Sequence, residues 1–311
     1  MKNKTELLPI LSGIGVSLIF GLSFAFTDTA LDYLTPMHLI AFRFAFAALT
    51  LTVLSLFGII KVDLRGKEMK QLMLLALFQP VIYFICETWG VKMTSASESG
   101  MLIATIPVAV AFFAYIFLGE KTTIPQIACI LLSVGGVMFI VWRKGTAGGE
   151  GSLMGILFLI GAVIAAGIYN ILSRKLSTSF KPLEITFVMM WVGAITFNFI
   201  SIIQHAIAGQ MGQYLSPLTN GGVIGSLLYL GILSSVGAFF LVNFMLSKME
   251  ASRSAIFSNL TTVVAIIAGV TFRGDPFTWY HAVGGLMIIA GVYGTNYFGA
   301  KKRKRAEAQI A

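Results

Sequence analysis

The chain alternates long apolar runs with short polar breaks. Ten runs can be read, near 8–30, 37–57, 70–90, 97–118, 124–142, 152–173, 183–207, 222–246, 253–272 and 278–298. These runs have about the length that a helix needs to cross the hydrocarbon core of a bilayer, roughly 30 Å. The breaks are too short to hold an inserted soluble domain. Pro36 and Pro182 each stand at the head of a run, where a missing backbone N–H costs a helix least.

The fourth run has a polar lead-in, TSASES, and a charged stop, GEK, and it recurs as KMEASRSAIFSNLTTVVAIIAGVTFRGDP. A shift of 155 carries Ala96 onto Ala251, Ser97 onto Ser252, Gly119-Glu120 onto Gly274-Asp275, Gln79 onto Ser234, Val81 onto Val236 and Gly136 onto Gly291. A shift of 146 carries Gly21 onto Gly167, Pro36 onto Pro182 and His38 onto Glu184. The expected organisation is therefore two five-helix units, 1–145 and 146–300, followed by a basic tail, 301–311. Five is odd, so the second unit enters the membrane upside down relative to the first. Inverted repeats of this kind form a transporter architecture, with the site near the bilayer midplane between the halves. The fold class expected is an all-α polytopic membrane protein with ten transmembrane helices.

Composition supports this reading and adds orientation. Hydrophobic residues make up 57% of the 311 and charged residues 11%, against about 25% charged in soluble domains. The net charge of +9 comes from loops and ends, so it marks orientation rather than nucleic acid. With the N-terminus inside, the cytoplasmic segments hold 17 Lys and Arg and the outer loops 4, which places both termini in the cytoplasm of a plasma membrane. The KKRKR tail reads as a cytoplasmic anchor, with a nucleic-acid or lipid-binding patch as the alternative. The first run is followed by no small-residue cleavage site and is expected to be retained. Cys86 and Cys129 lie in apolar runs and imply neither a disulfide framework nor a metal site.

Few groups inside the runs can carry chemistry, and each ionisable one costs about 2.5–3.5 kcal/mol at mid-membrane. Gln79, Tyr83 and Glu87 are spaced by four and predict one polar stripe on an apolar helix. Glu87 can meet a substrate amine, carry a proton, or simply face water or Lys92. Glu98 opens the fourth run, where the helix dipole favours a carboxylate and capping is the simpler role. Arg43 can bind a substrate carboxylate bidentately, or lock helices through Asp28, Asp32 or a backbone carbonyl. Asp28, Asp32 and His38 are expected to be solvated near the first outer loop. In the second half the candidates are neutral: Tyr169, Asn170, Asn243, and Asn259 with Thr262. Amides in hydrocarbon bond across helices by default. Phe20, Phe24, Tyr83, Trp89, Tyr169 and Trp191 can stack on an aromatic or cationic solute. His38, His205 and His281 fall near outer ends and do not cluster in sequence. There is no HExxH helix, Walker loop or GxSxG elbow, which disfavours an enzyme or an ATP-driven pump; no cofactor is implied.

FGLSF at 20–24, TPMHLIAFRFAFAAL at 35–49, TSASESGMLIATIPVAVAFFAYIFLGEKTT at 94–123 and GGVMFI at 135–140 resemble the drug/metabolite transporter superfamily, in its EamA-type ten-helix members. The second half departs from the pattern: Thr262 stands where Pro107 does, Asp275 where Glu120 does, and Met189 where Arg43 does. The resemblance implies that the third, fourth, eighth and ninth helices, with the first and sixth, line a central cavity. It also implies efflux of amino acids or other metabolites. The expected partners are the bilayer, a small solute and protons as a coupling ion. Two alternatives stay open, a multidrug or organic-cation exporter and a non-transporting membrane scaffold.

Overall fold

A computed structural model describes residues 4–93, 102–144, 153–273 and 277–310; within its helices, the side chains at 4–6, 24, 25, 28, 91, 92, 144, 272, 273 and 303–310 fall outside that description. The described residues are helical, with no strand among them. The helices are α1 (Lys4–Leu31), α2 (Pro36–Leu56), α3 (Met69–Ala76), α4 (Tyr83–Met93), α5 (Ile106–Leu118), α6 (Ile124–Lys144), α7 (Leu153–Leu176), α8 (Pro182–Ile207), α9 (Gly221–Leu228), α10 (Phe239–Lys248), α11 (Ala251–Ala255), α12 (Phe257–Arg273) and α13 (Trp279–Ile310). Segments with π-type turns, Leu77–Ile82 and Tyr229–Ala238, join α3 to α4 and α9 to α10. Pro36 and Pro182 are the first residues of α2 and α8, as expected from their place ahead of apolar runs.

Seven of the described helical stretches are long and apolar enough to cross a membrane, and Leu7–Ser23 and Ile106–Leu118 are shorter apolar helices. Phe112, Phe199 and Leu286 are exposed by 60%, 65% and 67%. Apolar surface on that scale needs lipid, not water, as its solvent.

The halves are interleaved. α2 packs on α8, α6 on α13, and α1 on α12, while α7 packs on α4 and α5. Each of these pairings joins one half to the other. Between lipid-embedded helices, close packing and polar contacts take over from the hydrophobic effect. The α6–α13 seam shows this: a Cβ on Gly136 would lie 2.7 Å from the Gly284 carbonyl oxygen, and one on Gly291 2.6 Å from that of Cys129. Gly135 and Gly285, the chain neighbours of Gly136 and Gly284, meet no such obstruction. At the centre, the sealed Phe44 ring sits 5.3 Å from the rings of both Phe84 and Phe197.

A second tie lies at the helix ends. Gly119, at φ +65°, ends α5 in the left-handed conformation that glycine adopts freely. The chain then presents Glu120, whose carboxylate oxygens accept from the Ala251 backbone N–H at 3.1 and 3.0 Å. Ser252 Oγ adds a hydrogen bond at 3.3 Å, and Arg174 Nε lies 3.8 Å away. Arg174 also donates to the Leu246 carbonyl at 2.8 Å. One carboxylate thus caps the start of α11 from the other half. The positions matched to it by the repeat, Ala96, Ser97 and Asp275, lie outside the described residues.

Loss of this acceptor in Glu120→Ala is expected to cost about 1–2 kcal/mol, as lost helix caps do. Burial, with the Glu250 charge, raises the Glu120 carboxyl above its ordinary value, although the Ala251 amide, Arg174 and Ser252 pull it back. A raised carboxyl stabilises the fold below its unfolded value and loses that contribution as pH climbs through its folded value. Wild type should therefore gain in apparent melting temperature relative to Glu120→Gln as the pH falls from about 7 to about 5. A flat or reversed difference contradicts the sign.

Candidate functional site

The expected third helix is not continuous. Inside the Leu77–Ile82 segment Gln79 takes φ −145°, ψ 118°, an extended residue within a helical rod. Pro80 is the local cause: it has no N–H for the helical ladder and disfavours helical values in the residue before it. The matching helix of the second half is distorted at the matching place, Tyr229–Ala238. Interrupted helices at membrane depth are tolerated where the freed groups meet protein or line a water-filled cavity.

Arg43, on α2, reaches to this second, π-distorted segment. Its Nε donates to Ser235 Oγ at 2.8 Å and its Nη2 to Ser234 Oγ at 2.9 Å. Both serines are fully buried. The guanidinium lies 5.5 Å from the centre of the Phe84 ring. The expected locking partners at the end of the first helix are replaced by these serines. Asp32 lies past the end of α1, whereas Arg43 is two turns into α2 and faces the Tyr229–Ala238 segment across the bundle. The Asp28 side chain lies outside the described residues.

Glu87 is the charge opposite. Tyr83 donates its hydroxyl to Glu87 Oε1 at 3.1 Å, so the one-turn spacing on α4 does bring these two together. Arg43 and Glu87 interact electrostatically, while the hydrogen bonds of Arg43 go to the serines. Gln79 stands across the break from Tyr83, so the three-residue stripe is realised only in its Tyr83–Glu87 part. Arg43, Gln79, Tyr83 and Glu87 all keep accessible surface, and the sealed polar atoms left without a partner include none of theirs. Arg43 and Glu87 thus keep part of their surface accessible near packed aromatic rings, and turning either charge to lipid would cost about 2.5–3.5 kcal/mol or more.

The second-half candidates fall into separate places. Asn243 is a sealed hub: its Oδ1 accepts from Tyr169 Oη at 3.0 Å and Ser173 Oγ at 2.6 Å, and its Nδ2 donates to Thr186 Oγ1 at 3.0 Å. Asn259 donates to Ser133 on α6 at 3.3 Å. Asn170 bonds back to the Ala166 carbonyl of its own helix at 2.8 Å. The Phe24 side chain and all of Glu98 lie outside the described residues.

His38 is a correction. It was expected to be solvated, but it is 3% exposed. Its ring lies 4.4 Å from that of His205 and 4.6 Å from that of Tyr214. The short 3-10 turns Met211–Gln213 and Ser216–Thr219 place Tyr214 over these helix ends. The two histidines are remote in sequence and become neighbours only through the α2–α8 packing.

A family model, the EamA-like transporter family, matches residues 7–142 and 153–297, both halves in turn. The chain belongs to the EamA-like transporter family. An uncharacterized transporter of Bacillus subtilis (strain 168), YcxC, is 37% identical over 295 residues, covering 95% of each chain. A protein of Streptantibioticus cattleyicolor, named a probable terminal-alkyne amino-acid exporter, is 26% identical over 225 residues, covering 72% of each. A solved crystal structure aligns with a TM-score of 0.76 at 15% identity, covering 93% of this chain and 97% of its own, which is a likeness of fold alone.

Within this EamA-type fold, Asn243→Ala leaves the hydroxyls of Tyr169, Ser173 and Thr186 short of a partner. A cost of about 2–4 kcal/mol is expected, read as a fall in apparent melting temperature in detergent. A variant as stable as wild type would show that the network holds nothing together.

Proposed function

We infer that this EamA-type protein is a secondary transporter that exports a small polar metabolite, an amino acid or related amine first, by alternating access. In this reading ten helices cross the plasma membrane as two inverted five-helix repeats, with both termini in the cytoplasm. The observation that carries it is the polar group in the bundle, Arg43 held by Ser234 and Ser235 and Glu87 held by Tyr83, beside the break at Gln79 and the π-distorted Tyr229–Ala238 segment. Transporters place their sites where such helices meet. The terminal-alkyne amino-acid exporter among the relatives points to the same solute class.

Glu87 takes the substrate amine or the coupling proton, with Tyr83 orienting its carboxylate and Gln79 adding an amide at the break. Asn243, Tyr169, Asn170 and Asn259 are buried and engaged with protein groups, so they support the site from behind and do not touch the solute; Phe24 adds a ring contact to the solute, and Glu98 is a proton-carrying or helix-positioning carboxylate. Proton coupling predicts a flux that follows an imposed pH gradient. The second reading, an organic-cation exporter, is favoured by the aromatic rings of Tyr83 and Phe84 beside the Glu87 carboxylate, since a cation gains from both.

Counterflow in proteoliposomes, across amino acids, purines and organic cations, separates these readings. Glu87→Gln is expected to reduce amino-acid counterflow at least about tenfold, the scale of a lost charge-assisted contact, with its melting temperature unchanged. Counterflow retained in the variant would remove Glu87 from the site. Counterflow of lipophilic cations alone would select the second reading, and no flux of any solute would favour a scaffold role.

A further inference from the structure

The remaining valences of Arg43 narrow the solute. A guanidinium carries five N–H donors in a rigid plane. The serine pair occupies the side edge, with Nε on Ser235 and Nη2 on Ser234. The end edge, formed by Nη1 and the second Nη2 hydrogen, has no protein acceptor among the described residues and is not among the sealed atoms. That edge has the geometry to receive a carboxylate through two parallel hydrogen bonds. On the Glu87 side the Tyr83 hydroxyl occupies Oε1, while Oε2 is likewise unsealed. The centre therefore offers a rigid cationic fork on Arg43 and an anionic oxygen on Glu87, each fixed by its own hydrogen bonds.

We propose that Ser234 and Ser235 are positioning residues that aim the free edge of Arg43 at a substrate carboxylate, so that the site selects zwitterionic α-amino acids over the corresponding amines. The inference rests on the transport reading above and names its substrate class. Neither serine touches the solute; both act through Arg43. Both lie in the π-distorted Tyr229–Ala238 segment, where adjacent serines serve both donors of one edge. The repeat gives this arrangement no counterpart: Gln79 is matched to Ser234, and Met189, in the second half, stands where Arg43 does. The selectivity is therefore built once, from an arginine of the first half held by two serines of the second.

The test uses purified full-length protein in proteoliposomes. The probe is the proteinogenic L-amino acid giving the strongest counterflow, with its decarboxylated amine as competitor. In the double variant Ser234→Ala/Ser235→Ala, KM for the amino acid should rise about tenfold with kcat within about threefold, as expected when a ground-state contact loosens. The inhibition constant of the amine should not move. Arg43→Lys keeps the charge but loses the fork, and should show the same split. An unchanged KM, or amino acid and amine weakened together, overturns the positioning role. If wild type carries an amine but no amino acid, the transport reading stands and the zwitterion inference falls. If it carries no solute, both fall together.

Discussion

The rest of the structure depends on one constraint, the cost of holding an arginine at membrane depth. A guanidinium there must find donors' partners within the protein, because lipid supplies none. Arg43 finds them in Ser234 and Ser235, on a helix of the other half. That requirement brings α2 against the Tyr229–Ala238 segment, and it keeps the cation beside Phe84 and within the field of Glu87. The packed rings of Phe44, Phe84 and Phe197 stand on the Arg43 side of this centre.

The architecture is symmetric, whereas the chemistry is not. Pairings that exchange helices between the halves give each half its core, and the matching helices depart from α-geometry at matching places, one broken at Gln79 and the other π-distorted. The polar groups differ on each side. One half contributes Arg43 and Glu87, and the other contributes hydroxyls and amides, many already engaged with one another around Asn243. Asn259 and Asn170 are spent on helix packing, as amides between lipid-embedded helices commonly are. A two-fold scaffold carrying a one-sided site can change access from one face to the other while keeping a single orientation for its solute. The Glu120 cap on α11 belongs to the same scheme, because it closes one end of the bundle across the repeat boundary.

Much of the fold was readable because apolar length and proline placement have local causes. The heads of α2 and α8 fall at Pro36 and Pro182, and the glycine pairs mark a close seam at Gly136, Gly284 and Gly291. The Tyr83–Glu87 pair was readable for the same reason, since a spacing of four sets one residue over the next. The break at Gln79 was signalled by Pro80 but hidden by an otherwise even apolar run. Arg43 and its serines lie 191 and 192 residues apart, and nothing local distinguishes those serines from others in the helix; their one signal was the match of Gln79 to Ser234. The meeting of His38 with His205 was likewise invisible, because it is made by the packing of α2 on α8, elements remote in sequence.

The central claim is that Arg43 and Glu87 line one water-accessible cavity closed off from lipid. Thiol accessibility at the break tests it most directly. In a background of Cys86→Ala and Cys129→Ala, Gln79→Cys should react with a charged, membrane-impermeant reagent, and added amino acid should slow that reaction. Reaction confined to apolar, membrane-permeant reagents, with no protection by solute, would place the break against lipid and contradict the account.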